Sequence, residues 1–314
     1  MNIIMPTDNT YKGIIKITFP IFIGLLTQNL MGIIDTVFLG RVDDVSLAAG
    51  GIGSLFYVCF TILGLGLSIG SQIVIGRRNG EKSYTEIGLL FNQILYICIG
   101  LGLFSFLFIQ CCSDSILLYM VSSPEILENS LLFIKTRSYF IIFTYLNFLY
   151  VSFYIGTTNT KVLLLSNIIS TIVNIICAYA LVLGHYGYNS LGIKGAAIAT
   201  NIAETVGVVI LSLYSIISGL STKYKLRYLS RIDFNRLLLL LKISFPLMLQ
   251  NFVALVAWFI FFIIIEKSGI EALAVSNIIR SIYLLLMIPV WALSSTSNSL
   301  ISNLLGEGRI NEVI

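Results

Sequence analysis

Eight runs of about 20 or more apolar residues divide this chain, at Ile14 to Leu39, Ala48 to Ile75, Ile87 to Ile109, Leu131 to Gly156, Val162 to Leu183, Gly195 to Ile217, Leu237 to Ile265 and Leu273 to Leu300. Each run is long enough to cross the hydrocarbon of a bilayer as a helix. Over 314 residues, 57% are hydrophobic and 11% charged, with a mean hydropathy of +0.95. No single water-soluble core can absorb that much apolar surface, so lipid must be part of the solvent. A spanning segment must satisfy its own backbone hydrogen bonds, which makes these runs helices rather than strands. The expected fold class is an all-α polytopic membrane protein with about eight transmembrane helices.

The polar connectors read as Arg41 to Asp44, Gly76 to Lys82, Ser113 to Asn129, Thr157 to Lys161, Gly184 to Lys194 and a long basic stretch from Lys223 to Arg236. With the N-terminus in the cytoplasm, about 13 of the 19 basic residues fall on the cytoplasmic side, among them Arg77, Arg78, Lys82, Lys161, Lys223 and Arg236. That asymmetry predicts a multi-pass protein of the cell (plasma or inner) membrane with a cytoplasmic N-terminus. The polar first dozen residues and the length of the first apolar run argue against a cleaved signal. The net charge of +4 lies between spans and not on a soluble domain, so topology explains it better than nucleic acid does. The five cysteines have no metal-ligand spacing, and the lone histidine, His185, sits in a Gly/Tyr-rich loop.

Sliding the chain over itself by 226 residues sets Lys16-Ile17-Thr18-Phe19-Pro20 on Lys242-Ile243-Ser244-Phe245-Pro246. The same offset sets Tyr57 on Tyr283, Gly80-Glu81 on Gly306-Glu307 and Glu86 on Glu312, with roughly 17 of 73 positions identical. An offset of six spans preserves orientation and implies two parallel halves about an axis normal to the membrane, an arrangement of transporters. The domain reading is a six-helix lobe over 1–222, a cytoplasmic linker over 223–236, and over 237–314 the first two helices of a second lobe. Pro20, Pro246 and Pro289 lie inside spans, where each removes a backbone donor and permits a bend.

The stretch Phe19-Pro20-Ile21 through Gln28-Asn29-Leu30-Met31-Gly32-Ile33-Ile34-Asp35-Thr36-Val37-Phe38-Leu39-Gly40, followed by Leu47-Ala48-Ala49, resembles the multidrug and toxic compound extrusion (MATE) family. Gly70 to Glu81 resembles the end of that family's second helix and its basic loop, and Leu191 to Thr200 the start of its sixth. The resemblance implies an exporter of two six-helix lobes that alternates between inward-open and outward-open states. It implies that entry of a proton or sodium ion drives out small amphipathic, often cationic, organic compounds, with no cofactor. The family has twelve spans, so this chain reads as lacking the last four.

An ionisable residue inside the bilayer costs about 3 kcal/mol or more at its centre and marks function by default. Asp35 lies two-thirds along the first span, with Gln28 two turns earlier on the same face. Its carboxylate suits a bound sodium or, if desolvated, a proton; the alternative is a hydrogen-bonded structural acid. The resemblance gives the acid of this motif the coupling role. Glu204 lies one turn after Thr200 in the sixth span, and either couples to Asp35, satisfies a buried backbone group or meets Lys194. By resemblance Asn174 belongs to a cation site. Ala178 stands where relatives often carry an aspartate, so Glu204 is expected to supply the missing carboxylate.

The cation-coupling set is thus Asp35, Glu204, Asn174 and Thr200, with no metal beyond Na+ at Asp35. Gln28, Tyr139, Phe143 and Tyr150 are candidates for a substrate cavity, with packing and interfacial anchoring as the alternative for each aromatic ring. Expected partners are a small-molecule substrate and membrane lipid, without nucleic acid, for a chain acting as a monomer. Three other functions compete. A flippase for lipid-linked saccharides would want intramembrane Arg and Lys to bind pyrophosphate, where the charges here are mainly acids. An intramembrane enzyme would want a His-Glu-x-x-His or Gly-x-Ser-x-Gly motif, and neither occurs. An inactive short form is the third.

Overall fold

The computed structural model describes residues 10–187, 189–226, 230–266 and 270–312. Among these residues the secondary structure is helical, without strands. Ten α-helices follow one another: α1 Tyr11–Gly40, α2 Asp44–Gly80, α3 Tyr84–Met120, α4 Pro124–Ser138, α5 Ile141–Gly156, α6 Lys161–Leu181, α7 Gly192–Ile217, the short α8 Leu220–Lys223, α9 Phe234–Glu266 and α10 Ile270–Gly306. Seven of them are long and apolar enough to cross a membrane, and eight if α4 and α5, bent by 52° to each other, are counted as one span.

Two expected connectors prove to be helical. α2 runs through Arg77 and Arg78 to Gly80, and α3 continues past Ser113 to Met120. Hydropathy marks where a helix leaves lipid, whereas a helix ends where its last carbonyls and first N–H groups find other partners. The starts illustrate this. Thr10 accepts from the Gly13 N–H at 3.3 Å, Asp43 accepts from the Ser46 N–H at 2.5 Å, and Pro124 opens α4, where a missing donor costs nothing. The fourth expected span is not one continuous helix. It breaks at Tyr139 and Phe140, immediately after the polar run Lys135, Thr136, Arg137 and Ser138. The three intrahelical prolines leave α1, α9 and α10 unbroken.

The packing is inverted relative to a soluble protein. Large apolar side chains face outward, among them Leu103, Phe104 and Leu107 on α3, Ile172 and Ile176 on α6, and Val209 and Leu213 on α7. Lipid covers such a face at no cost. Serines, asparagines and glutamines are packed inside. α2 is the central helix, in contact with α1, α3, α4, α5, α9 and α10. Its glycines let backbones meet. A Cβ on Gly70 would stand 2.3 Å from the Ser244 hydroxyl of α9.

The contacts between the first and last spans follow the 226-residue offset. A Cβ on Gly80 would stand 2.0 Å from the carbonyl oxygen of Asn303, and one on Gly306 would stand 2.1 Å from that of Arg77, the residue that pairs with Asn303 in the repeat. Likewise Thr18 donates to Thr296 at 3.0 Å where the equivalent pair, Ser244 and Gly70, is in contact. Reciprocity of this kind is what a two-fold relation produces at its axis. The same end is tied further by Asn79, which donates to Asn303 at 2.7 Å, and by Asn303, which donates to the Gly156 carbonyl at 3.0 Å.

The basic stretch before α9 is strapped to the start of α3. Gln93 donates to the Arg231 carbonyl and accepts from the Asp233 N–H, each at 3.0 Å, and Tyr96 donates to the Ser230 carbonyl at 2.6 Å. Tyr224 is buried edge-on between Tyr84 and Phe153, and Arg236 pairs with Glu86 at 2.8 Å. Asp233 caps α9, accepting from the Arg236 N–H at 3.1 Å, and that bond, with the Arg236 charge, holds its carboxyl below the usual range. Such a cap contributes above the ordinary carboxylate range and is lost as pH falls through the lowered value.

Gly80→Val and Gly306→Val are predicted to destabilise the chain to a similar extent, by about 1–3 kcal/mol, because one forces a side chain into the backbone at Asn303 and the other into the backbone at Arg77. Thermal unfolding in detergent measures this, and a large effect in one with none in the other would contradict the two-fold reading. For the cap, protection from hydrogen exchange in the first turn of α9, taken relative to the intrinsic rate at each pH, should fall on acidification in the wild type and be low at every pH in Asp233→Ala.

Candidate functional site

Asp35 lies near the end of α1, where α1 packs against α6 and α6 against α7. Two side chains close on its carboxylate. Asn174 of α6 donates to Oδ1 at 3.1 Å, and Thr200 of α7 donates to Oδ2 at 3.0 Å. The Asn174 amide also reaches the Thr200 hydroxyl at 3.3 Å. Thr200 has one proton for two acceptors, since the Ala196 carbonyl also lies 3.0 Å away. Asn174 is fully buried, and its Oδ1 has no hydrogen-bond partner. An orphaned buried acceptor beside a carboxylate and a hydroxyl is costly unless something fills it. Carboxylate, amide and hydroxyl oxygens form the donor set of a hard cation such as Na+, and the same oxygens can accept from a protonated carboxyl. The residues fit either ion.

Glu204 is directed elsewhere. Although it shares α7 with Thr200, its Oε1 accepts from Arg137 of α4 at 2.8 Å and its Oε2 from the Thr144 hydroxyl of α5 at 2.6 Å. It does not supply a carboxylate to the Asp35 cluster, nor does it meet Lys194. Burial explains the difference. The Arg137 guanidinium is only 6% exposed, and a buried guanidinium requires a carboxylate more urgently than a hydrogen-bonded Asp35 does.

Arg137 was not among the site residues expected from sequence. It lies in the last turn of α4, where its charge also complements the helix C-terminus. Its other arm donates to Asn201 Oδ1 at 2.8 Å, and the guanidinium carbon sits 4.4 Å over the Tyr57 ring. Because Thr144 spends its proton on Glu204, the Tyr57 hydroxyl donates to Thr144, at 2.8 Å. The break after α4 is held by the same network. Asn201 donates to the Thr136 carbonyl at 2.9 Å, and Gln110 to that of Lys135 at 3.2 Å. Thr200 and Asn201, adjacent on α7, thus face two clusters, and the charges of Arg137 and Glu204 both act on Asp35.

Gln28 is exposed two turns back from Asp35. Of the aromatic candidates, Tyr139 lies at the break, 64% exposed and against Phe106, and Phe143 stacks on Phe140. Tyr150 packs with Phe91 and Tyr154. These three rings do not line one common wall. An apolar recess beside the break, of about 240 Å³, is lined by Tyr139 together with Thr136, Phe140, Lys194, Ile198, Asn201 and Ile202.

Fold and site together define a multi-pass α-helical membrane protein built around buried polar clusters, the architecture of secondary transporters. The MatE family model matches residues 20–180, just over half of the chain, and the chain belongs to that family. It is 23% identical over 304 residues to a probable multidrug resistance protein NorM of Pasteurella multocida, which covers 95% of this chain and 64% of that protein. With the NorM of Idiomarina loihiensis it shares 29% over 206 residues, 61% of this chain and 41% of that protein. Among solved structures, the outward-facing conformation of a MATE family transporter superposes with a TM-score of 0.86 at 21% identity, covering 96% of this chain and 66% of that one. The matches therefore span roughly two fifths to two thirds of the relatives' length.

Asn201→Leu is predicted to destabilise the chain by about 1–3 kcal/mol, because it leaves both an arginine arm and the Thr136 carbonyl without partners. An unfolding midpoint unchanged from wild type would show that the network does not hold the break.

Proposed function

We propose that this chain carries cation-coupled export of small amphipathic or cationic organic compounds, with Asp35, Asn174 and Thr200 as the residues that take up the coupling proton or sodium ion. The observation that carries the reading is a carboxylate inside a membrane-spanning bundle, Asp35, held by the amide of Asn174 and the hydroxyl of Thr200, with the Asn174 oxygen left without a partner. A Na+ bound at the Asp35 carboxylate and the Thr200 hydroxyl would gain that oxygen as a ligand if the Asn174 amide turns over, which breaks its bond to Asp35. A proton on Asp35 would instead turn one carboxyl oxygen from acceptor to donor. Either event changes which bonds tie α1 to α6 and α7.

Alternating access requires two halves that part at one membrane face and then the other. The first six spans, over 1–222, and the two spans after the 223–236 linker are read as those halves. They meet at the reciprocal Gly80 and Gly306 contacts, which corresponds to closure at the cytoplasmic face if the N-terminus lies inside. Pro20, Pro246 and Pro289 are candidates for the bends that reopen it. The setting is the cell membrane, the chain acts as a monomer among lipids, and Gln28 with Tyr139, Phe143 and Tyr150 remain candidates for substrate contact. The alternative of flipping a pyrophosphate-linked lipid would need an available guanidinium, and Arg137 is already bound to Glu204 and Asn201.

The test is efflux of a fluorescent organic cation from proteoliposomes under an imposed pH or sodium gradient. Wild type should show gradient-dependent efflux, and Asp35→Asn should lose it by at least about tenfold. Equal flux in both would overturn the reading.

A further inference from the structure

A second buried charge system lies next to the Asp35 cluster, and nothing in the proposed coupling cycle uses it. Arg137 is 6% exposed, and both arms of its guanidinium are engaged, one on Glu204 at 2.8 Å and one on Asn201 at 2.8 Å. Glu204 has both oxygens satisfied, by Arg137 and Thr144. The pair is therefore closed. Each oxygen of Glu204 already has a donor and its charge is balanced by the guanidinium, whereas the Asn174 oxygen of the neighbouring cluster has no donor. The two clusters are nevertheless neighbours, because the consecutive residues Thr200 and Asn201 of α7 bond to Asp35 in one and to Arg137 in the other.

In a membrane interior the fields of such charges are poorly screened, and a single unpaired charge close to Asp35 would decide what Asp35 can bind. An uncompensated guanidinium would act as a permanent counter-ion and compete with Na+ or H+. An uncompensated Glu204 would add a second site for a cation. We propose that Arg137 and Glu204 are a charge-setting pair that leaves Asp35 as the single uncompensated carboxylate of the first six spans, so that one cation enters there per cycle and Glu204 carries none. This rests on the coupling role proposed for Asp35, and it makes Arg137 and Glu204 positioning residues that act through Asp35.

The experiment compares wild type, Asp35→Asn, Glu204→Gln, Arg137→Gln and the double variant Arg137→Gln/Glu204→Gln, each purified by size exclusion and returned to proteoliposomes. Two readouts are taken: gradient-driven efflux, and Na+ or H+ dependence of the thermal unfolding midpoint in detergent. Glu204→Gln frees the guanidinium, and its cation dependence should weaken at least about tenfold. Arg137→Gln frees the carboxylate, and its cation response should steepen toward two sites. The double variant is neutral and keeps hydrogen-bonding side chains at both positions. It should recover coupling and cation dependence to within about threefold of wild type.

A proton- or sodium-carrying role for Glu204 predicts the opposite, with the double variant as defective as Glu204→Gln, and that result overturns the proposal. If a single variant fails to fold, the double variant decides alone. A double variant that does not fold also counts against the proposal, which gives the pair no role that neutral partners cannot fill. An insensitive Asp35→Asn, by contrast, would indict the coupling reading itself, so the two failures are told apart.

Discussion

Lipid accepts no hydrogen bonds, and almost every feature of this molecule follows from that constraint. It forces the apolar runs into helices and turns their large side chains outward. It also leaves polar groups only one place to go. Serines, asparagines, Asp35, Glu204 and Arg137 are gathered between helices, where some serines bond back to their own helix and the charged groups find their partners in other helices. The polar contacts are consequently what fix which helix lies beside which. α1 meets α6 and α7 at Asp35, and α4 and α5 meet α7 at Glu204.

The same constraint explains the broken fourth span. A helix interrupted inside a bundle exposes carbonyls that nothing outside can satisfy, and those of Lys135 and Thr136 are taken up by Gln110 and Asn201. Asn201 serves both the break and Arg137, which ties the bend in the backbone to the charge pair. α7 then carries consecutive residues into the two clusters, Thr200 to Asp35 and Asn201 to Arg137. A rotation or shift of α7 would disturb both together.

Much of this could be read in the sequence, for identifiable reasons. Span number follows from hydropathy, and membership of the MatE family from the Phe19–Gly40 motif. The grouping of Asp35 with Asn174 and Thr200 was expected from the cost of a buried acid and from that family resemblance. What the sequence did not give was the destination of Glu204. Spacing along α7 places it one turn from Thr200, but a side chain's partner is settled by which charge is most deeply buried, and Arg137 is the more demanding one. A signal was present, since Arg137 lies inside the fourth apolar run, where a cation is as expensive as an acid. The helical extensions at Gly76–Gly80 and Ser113–Met120 were hidden for another reason. Hydropathy reports contact with lipid, and a helix can continue into water wherever its caps allow.

The central claim is that Asp35 takes up the coupling ion. Infrared difference spectroscopy of the reconstituted protein, with and without Na+ and across a pH step, tests it most directly. The account predicts a carboxylate band that shifts on adding Na+ or is replaced by a protonated-carboxyl band on acidification, and that is missing in Asp35→Asn. Identical difference spectra in wild type and Asp35→Asn would contradict it.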